Sequence, residues 1–277
     1  MRAEHTRHPR PFGEAASGGV AASWTVVIPA KAPARAKSRL APHVDDASRA
    51  ALARAFAADT IAAALTASSV ARVIVVGDDP SLAGDAEFLD ERGRDRDRDP
   101  GRSPESPTRE DGNRGSPAGE DGNRGPGSRI LDESRPHETG GTGLTAAIAF
   151  GVAHARGTGA GGVAVLLGDL PCLRSDDLDD ALALAAEHPL AFVSDADGTG
   201  TTLATARAGV RFEPHFGPDS AAGHRRAGFV PLEASARLRR DVDTLAALED
   251  AIALGTGPHT AHVVATLADR RPAPPAG

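Results

Sequence analysis

Residues Trp24–Leu40 read WTVVIPAKAPARAKSRL. Trp24 to Ile28 form an apolar run of β character. Pro29 has no N–H to give to a ladder and is expected to stop the strand. The loop that follows carries Lys31, Arg35, Lys37 and Arg39. Only two of the chain's 31 basic residues are Lys, and both stand in this loop. Arg is a planar fork, whereas Lys is a compact, mobile charge suited to a phosphate oxygen. A buried strand that delivers a cationic loop is a common way to build a nucleotide site. The plainer reading is a solvated basic loop.

Outward from this stretch the chain alternates. Residues 45–67 are Ala-rich, with Leu52, Phe56, Ile61 and Leu65 near helical spacing and Asp45 or Asp46 as cap. ARVIVVGDD then reads as a buried parallel strand with its C-terminal loop, completing a βαβ unit. Residues 91–128 break the pattern with SPTREDGNRG followed directly by SPAGEDGNRG. So polar a repeat cannot bury enough surface to offset ordering entropy, and a disordered insertion is expected. The fold resumes with a short strand at 129–131 and a glycine loop feeding an amphipathic helix. VAVLLGDLP (163–171) is the most buried-looking strand. A capped helix (SDDLDDALALAAE), a strand (AFVSD) and a closing helix after Asp243 follow. The expected architecture is α/β: one domain over residues 23–268 with a Rossmann-like, mostly parallel sheet flanked by helices. Residues 1–22 read as a disordered leader and 269–277 as a tail.

Composition sets limits. Hydrophobic residues make up 40% of the chain, but aromatics only 3%, so Ala, Leu and Val must fill the core. A formal net charge of −7 argues against broad nucleic-acid binding. A single cysteine, Cys172, excludes an internal disulfide or a Cys-cluster metal site and fits a reducing cytoplasm. No apolar run approaches the roughly 18 residues of a membrane span, and the N-terminus lacks the apolar segment of a secretory signal.

Several residue sets can carry chemistry. Asp169, in Gly168-Asp169-Leu170-Pro171, ends the central strand. There a carboxylate points into the ligand crevice and can hold Mg2+ on a nucleotide triphosphate; a turn or capping role is the alternative. Asp241-Val242-Asp243-Thr244 sends both carboxylates to one side if extended, although Asp243 can equally cap the last helix. The loop Gly140 to Thr145 precedes a helix, an arrangement that favours anions. Gly198-Thr199-Gly200-Thr201 and Phe216-Gly217-Pro218-Asp219-Ser220 are small-residue loops, the second opening a short helix. Gly217 and Ser220 can cradle a carboxylate or phosphate, with His224, Arg225 and Arg226 adding positive charge. Each is otherwise an ordinary turn. No HExxH, Ser-His-Asp or Cys-His pattern is present, and Cys172 reads as a small buried residue.

Taken together, the PxK…KSRL, GDLP, GTGT, FGPDS…HRR and DVDT motifs, in that family's order, resemble the guanylyltransferases of coenzyme F-420 biosynthesis, the CofC/FbiD proteins. The resemblance runs from about Trp24 to the helix after Asp243, apart from the insertion. It implies a glycosyltransferase-A-like nucleotidyltransferase fold, with Lys31, Lys37 and Arg39 on the phosphates. It implies GTP held at Pro29, Gly143, Leu144 and Thr145, and Mg2+ held by Asp169 and Asp243, with Asp241 a second candidate. Thr201, Gly217 and Ser220 would take the acceptor. Thr145 stands where the family usually has Asn, so a specific base contact does not transfer to it.

The implied reaction moves GMP from GTP to phosphoenolpyruvate, giving enolpyruvyl-diphospho-guanosine and pyrophosphate. 2-Phospho-L-lactate or 3-phosphoglycerate are alternative acceptors, and the downstream transferase that uses the product is an implied partner. Two other readings stay open. One is another nucleotidyltransferase, although the LAGGxSxRMG-type loop is missing. The other is a non-catalytic nucleotide-binding protein.

Overall fold

A computed structural model describes residues 23–30, 40, 44–91 and 143–269. The leader, the lysine loop, the repeat insertion beyond Glu91, the strand expected at 129–131 and the tail after Asp269 lie outside the described residues.

Seven strands form one sheet: β1 (Trp24–Ala30), β2 (Val70–Gly77), β3 (Glu87–Asp90), β4 (Gly162–Leu166), β5 (Leu190–Ser194), β6 (Thr201–Ala206) and β7 (Val230–Pro231). Their order is β3-β2-β1-β4-β6-β5-β7. Only β6 opposes its neighbours; the other pairings are parallel. The mostly parallel sheet expected from the sequence is therefore present.

Both faces of this sheet are covered, which is why its strands read as unbroken apolar runs. Val26 and Ile28 of β1, Val73 and Val75 of β2, and Ala164 and Leu166 of β4 face one layer. That layer is completed by Ile61 and Ala64 of α1 (Asp46–Thr66) and Leu178 and Leu182 of α3 (Ser175–Ala185). Their neighbours Val27, Ile74, Val76, Val163 and Val165 face the other layer. There Ile148 and Val152 of α2 (Gly143–Gly157) and Ala221 of α4 (Ser220–Arg226) close the core. The alternation is the period of two that a strand imposes.

Pro29 does not stop β1, which continues to Ala30 with Pro29 opposite Val76. Pairing with β4 ends at Val27, so beyond that point β1 has one partner strand, where a missing donor is tolerated. Helix α1 begins where expected: Asp45 caps it, accepting from the Ser48 N–H at 2.9 Å. Leu65, assigned to its apolar stripe, is exposed.

After the short helix α5 (Ala236–Arg239), the chain does not close with α6 (Leu245–Leu254). A further helix, α7 (Pro258–Asp269), packs against α1. Its start is capped from a distance: the buried carboxylate of Asp59, on α1, accepts from the N–H groups of His259 (3.0 Å) and Thr260 (2.8 Å). No helix among the described residues is long and apolar enough to cross a membrane.

Candidate active site

In a parallel sheet, ligands gather beyond the carboxyl ends of the strands. Here that edge presents Ala30 at the end of β1, Gly77 at the end of β2, Gly168-Asp169 after β4 and Asp195 after β5. Because β6 runs the other way, its first residue, Thr201, opens at the same edge.

Gly168 backs onto β1. A Cβ there would stand 3.3 Å from Ile28 Cγ2 and 3.6 Å from the Pro29 carbonyl oxygen. The segment after it is fixed by three bonds to other elements. Leu170 N–H donates to Thr60 Oγ1 (3.1 Å), Gly257 N–H to the Pro171 carbonyl (2.8 Å), and Val242 N–H to the Asp169 carbonyl (3.1 Å). The last bond lays Asp241-Val242-Asp243 directly against Asp169. Val242 is fully buried, and Asp241 and Asp243 on either side are half-buried, as an extended segment requires. Asp243 is not the cap of α6. Thr244 is, accepting from the Ala247 N–H at 3.2 Å.

No group of three or more His, Cys, Asp or Glu side chains converges as a metal cage among the described residues. One or two aspartates sharing an ion with substrate phosphates is nonetheless the usual donor set for Mg2+, a hard cation that keeps oxygen ligands from its substrate. The residues present fit that arrangement. Asp79, at the end of β2, has a structural role instead. It accepts from Ser81 Oγ (2.6 Å) and pairs with Arg54, and the Ser81 hydroxyl bond leads in holding its carboxyl below the usual range. Cys172 is buried, donates to the Ala251 carbonyl (3.1 Å), and burial pushes its thiol up to about 11, so it stays protonated.

The GTGT and 216–220 loops are organised by two residues that the sequence reading did not single out. The Asp195 carboxylate accepts from the N–H groups of Thr199 (2.9 Å) and Gly200 (2.7 Å), shaping the GTGT loop. A Cβ on Gly200 would collide with that carboxylate, so the close approach needs glycine. Arg239 donates to the carbonyls of Ser194 (3.2 Å) and Asp195 (2.9 Å), tying the chain just before Asp241 to the end of β5. The Thr199 carbonyl in turn accepts from Ala221 N–H of α4 (3.0 Å). A continuous set of bonds thus joins the DVDT segment to the 216–220 loop. Asp195 ends a strand just as Asp169 does, and the same rule could have found it. No sequence signal marks Arg239.

In the 216–220 loop, Gly217 has φ 132° and Asp219 φ 53°. Asp219 is the only non-glycine among the described residues in the left-handed region. Ser220 is buried as the first residue of α4. Thr201 is also buried, and its hydroxyl lies 3.0 Å from His224 Nδ1. His224 does not add positive charge. It is fully buried, and burial above all lowers its pKa to about 4, leaving a neutral ring near pH 7. Arg225 lies over the Phe192 ring at 5.4 Å. Gly143, Leu144 and Thr145 open α2 on the opposite face of the sheet from α1. Lys31, Lys37 and Arg39 lie outside the described residues.

A mostly parallel α/β sheet with paired acidic segments at the end of its central strand is the frame of a nucleotidyltransferase. The chain is 44% identical over 255 residues to the phosphoenolpyruvate guanylyltransferase of Sanguibacter keddieii, covering 87% of this chain and 84% of that one. It is 42% identical over 247 residues to the enzymes of that name from Streptomyces scabiei and Streptomyces coelicolor, covering 88% of this chain and 97% of each. The chain belongs to the phosphoenolpyruvate guanylyltransferase family. No family model matches it. Among solved structures, a nucleotidyl transferase from Methanothermobacter thermautotroptrophicus aligns with TM-score 0.43 and 13% identity over 88% of this chain and 98% of that one.

Proposed function

We propose that this chain transfers GMP from GTP to phosphoenolpyruvate in the cytoplasm, in the biosynthesis of coenzyme F-420. It releases pyrophosphate and hands enolpyruvyl-diphospho-guanosine to the transferase that consumes it. The observation that carries this reading is identity above 40% to enzymes of that name over nearly nine-tenths of the chain. The joined acidic segments at the sheet edge agree with it.

The nucleophile is an oxygen of the acceptor phosphate, already mostly ionised near pH 7 because its second pKa is about 6. It forms a bond to the α-phosphorus of GTP as the bond to the bridging α–β oxygen breaks, and that oxygen leaves with pyrophosphate. No base is needed. The barrier is electrostatic, since an anion must approach a polyanionic triphosphate. Asp169 and Asp243, with Asp241 beside them, would hold Mg2+, which when bound neutralises phosphate charge. Lys31, Lys37 and Arg39 add cationic contacts to the phosphates. Pro29 and the start of α2, Gly143 to Thr145, serve the nucleoside. Gly217 and Ser220 orient the acceptor for in-line attack, and Thr201 acts from beneath them.

The test is pyrophosphate release from GTP and Mg2+ with phosphoenolpyruvate, 2-phospho-L-lactate or 3-phosphoglycerate, with CTP and ATP as controls. Release with phosphoenolpyruvate and GTP alone is expected. Release with another acid renames the acceptor. No release with any pair from folded protein overturns the transferase reading in favour of a binding role.

A further inference from the structure

In a chain that has few aromatics, His224 sits in the densest aromatic cluster among the described residues. Its ring is stacked on Phe192 with centroids 5.6 Å apart. The rings of Phe216 (5.1 Å), Phe229 (4.8 Å) and His215 (5.6 Å) meet it edge to face. Nδ1 lies 2.9 Å from the Ser220 carbonyl and 3.0 Å from Thr201 Oγ1. A carbonyl only accepts, which assigns the proton to Nδ1. Nε2 is then the bare nitrogen, enclosed and without a hydrogen-bond partner among the described residues. Leaving one nitrogen of a buried imidazole unpaired among aromatic rings is costly, and the bonds of the other nitrogen must offset that cost.

That other nitrogen holds the acceptor loop. The loop starts at Phe216, whose ring rests on His224, and ends at Ser220, whose carbonyl His224 binds. Between them Asp219 is in the left-handed region, a conformation that costs a non-glycine residue on the order of 1 kcal/mol and persists only where its surroundings enforce it. We propose that His224 is a positioning residue for the phosphorylated acid. It clamps both ends of the 216–220 loop and fixes them to Thr201 at the start of β6, without touching the substrate. This rests on the reading of that loop as the acceptor site.

The clamp acts on one substrate only. GTP is expected on the β1 and α2 side, so loosening the loop should raise the KM of the acceptor and leave that of GTP alone. The experiment measures both KM values by pyrophosphate release in the wild type, His224→Phe and His224→Asn, with thermal melts alongside. His224→Phe keeps the ring and removes Nδ1; it should raise the acceptor KM by about tenfold or more and leave the GTP KM within about twofold. His224→Asn places an amide N–H near the same carbonyl and should recover part of the loss. Phe216→Leu loosens the other end and should raise the acceptor KM by about threefold; it carries the test if His224→Phe does not fold. Unchanged acceptor KM values in folded variants, or equal rises for both substrates, overturn the proposal. A wild type inactive with all three acids removes the acceptor reading itself, and this proposal with it.

Discussion

The Asp169 carbonyl accepts a hydrogen bond from the backbone N–H of Val242 at 3.1 Å, joining two acidic segments far apart in the sequence. The bond uses backbone atoms alone. Replacing the side chains therefore leaves it in place, and a loss of turnover can be read as a loss of ligands. Asp169→Asn and Asp243→Asn should each lower turnover by about a hundredfold and raise the Mg2+ concentration needed for half-maximal rate. Both variants should melt close to the wild type. An unchanged Mg2+ titration in a folded variant removes that residue from the metal site.

Lys31 follows the last residue of β1, and β1 ends beside Gly77 and Gly168 at the sheet's carboxyl edge. Lys31→Ala should lower turnover by more than about tenfold with the fold intact. Near-normal turnover takes Lys31 out of the mechanism.

Gly151 lies where α2 crosses the sheet. A Cβ there would stand 2.6 Å from Val27 Cγ1 and 2.7 Å from Val76 Cγ2, both on buried strands. Overpacking of this kind costs about 1–3 kcal/mol, against a helix-propensity gain of about 1 kcal/mol for Ala over Gly. Gly151→Ala should therefore destabilise the protein, seen as a lower urea midpoint at unchanged slope. A raised midpoint would mean that α2 shifts freely on the sheet.

His224 also makes stability depend on pH. Its folded pKa is lowered from 6.5 to about 4, chiefly by burial, with His215 adding to the effect and the Ser220 carbonyl opposing it. Between those values the unfolded chain binds the proton and the folded one does not. Stability is then full above about pH 6.5 and falls as pH drops toward 4, by on the order of 3 kcal/mol. His224→Phe should remove this component. Urea unfolding of both proteins from pH 7.5 to 4 reads it as a stability difference that narrows on acidification; a constant difference excludes it.

Much of the fold was legible because its strands are buried on both faces. Strands β1, β2, β4 and β5 are apolar runs between glycine and aspartate signals, α1 has an acidic cap, and α3 has acidic residues in its first turn. β3 and β7 escaped notice because they have four and two residues and lie at the sheet's margins. β6 was not assigned from the sequence, although its reversal was readable in principle. Residues 195–200 are too few for a parallel crossover, which needs about a dozen. Asp169 was visible as a strand-end aspartate. Its contact with Val242, the Arg239 tie and the burial of His224 were not, because they depend on which distant segments meet. A trailing His-Arg-Arg reads as charge until the aromatic rings around His224 are seen.

The cap on α7 has a consequence for how the chain is made. Asp59 is only 4% exposed, and the bonds to its carboxylate come from His259 and Thr260, about two hundred positions later. While the ribosome has produced only the first strands and helices, this anion has no such donors and must keep its water. The side of α1 that carries Ile61 and Ala64 can dock on the sheet early, but the side that carries Leu52, Phe56 and Asp59 stays open. Burial of that second side is accordingly expected late in folding, after α7 has been made.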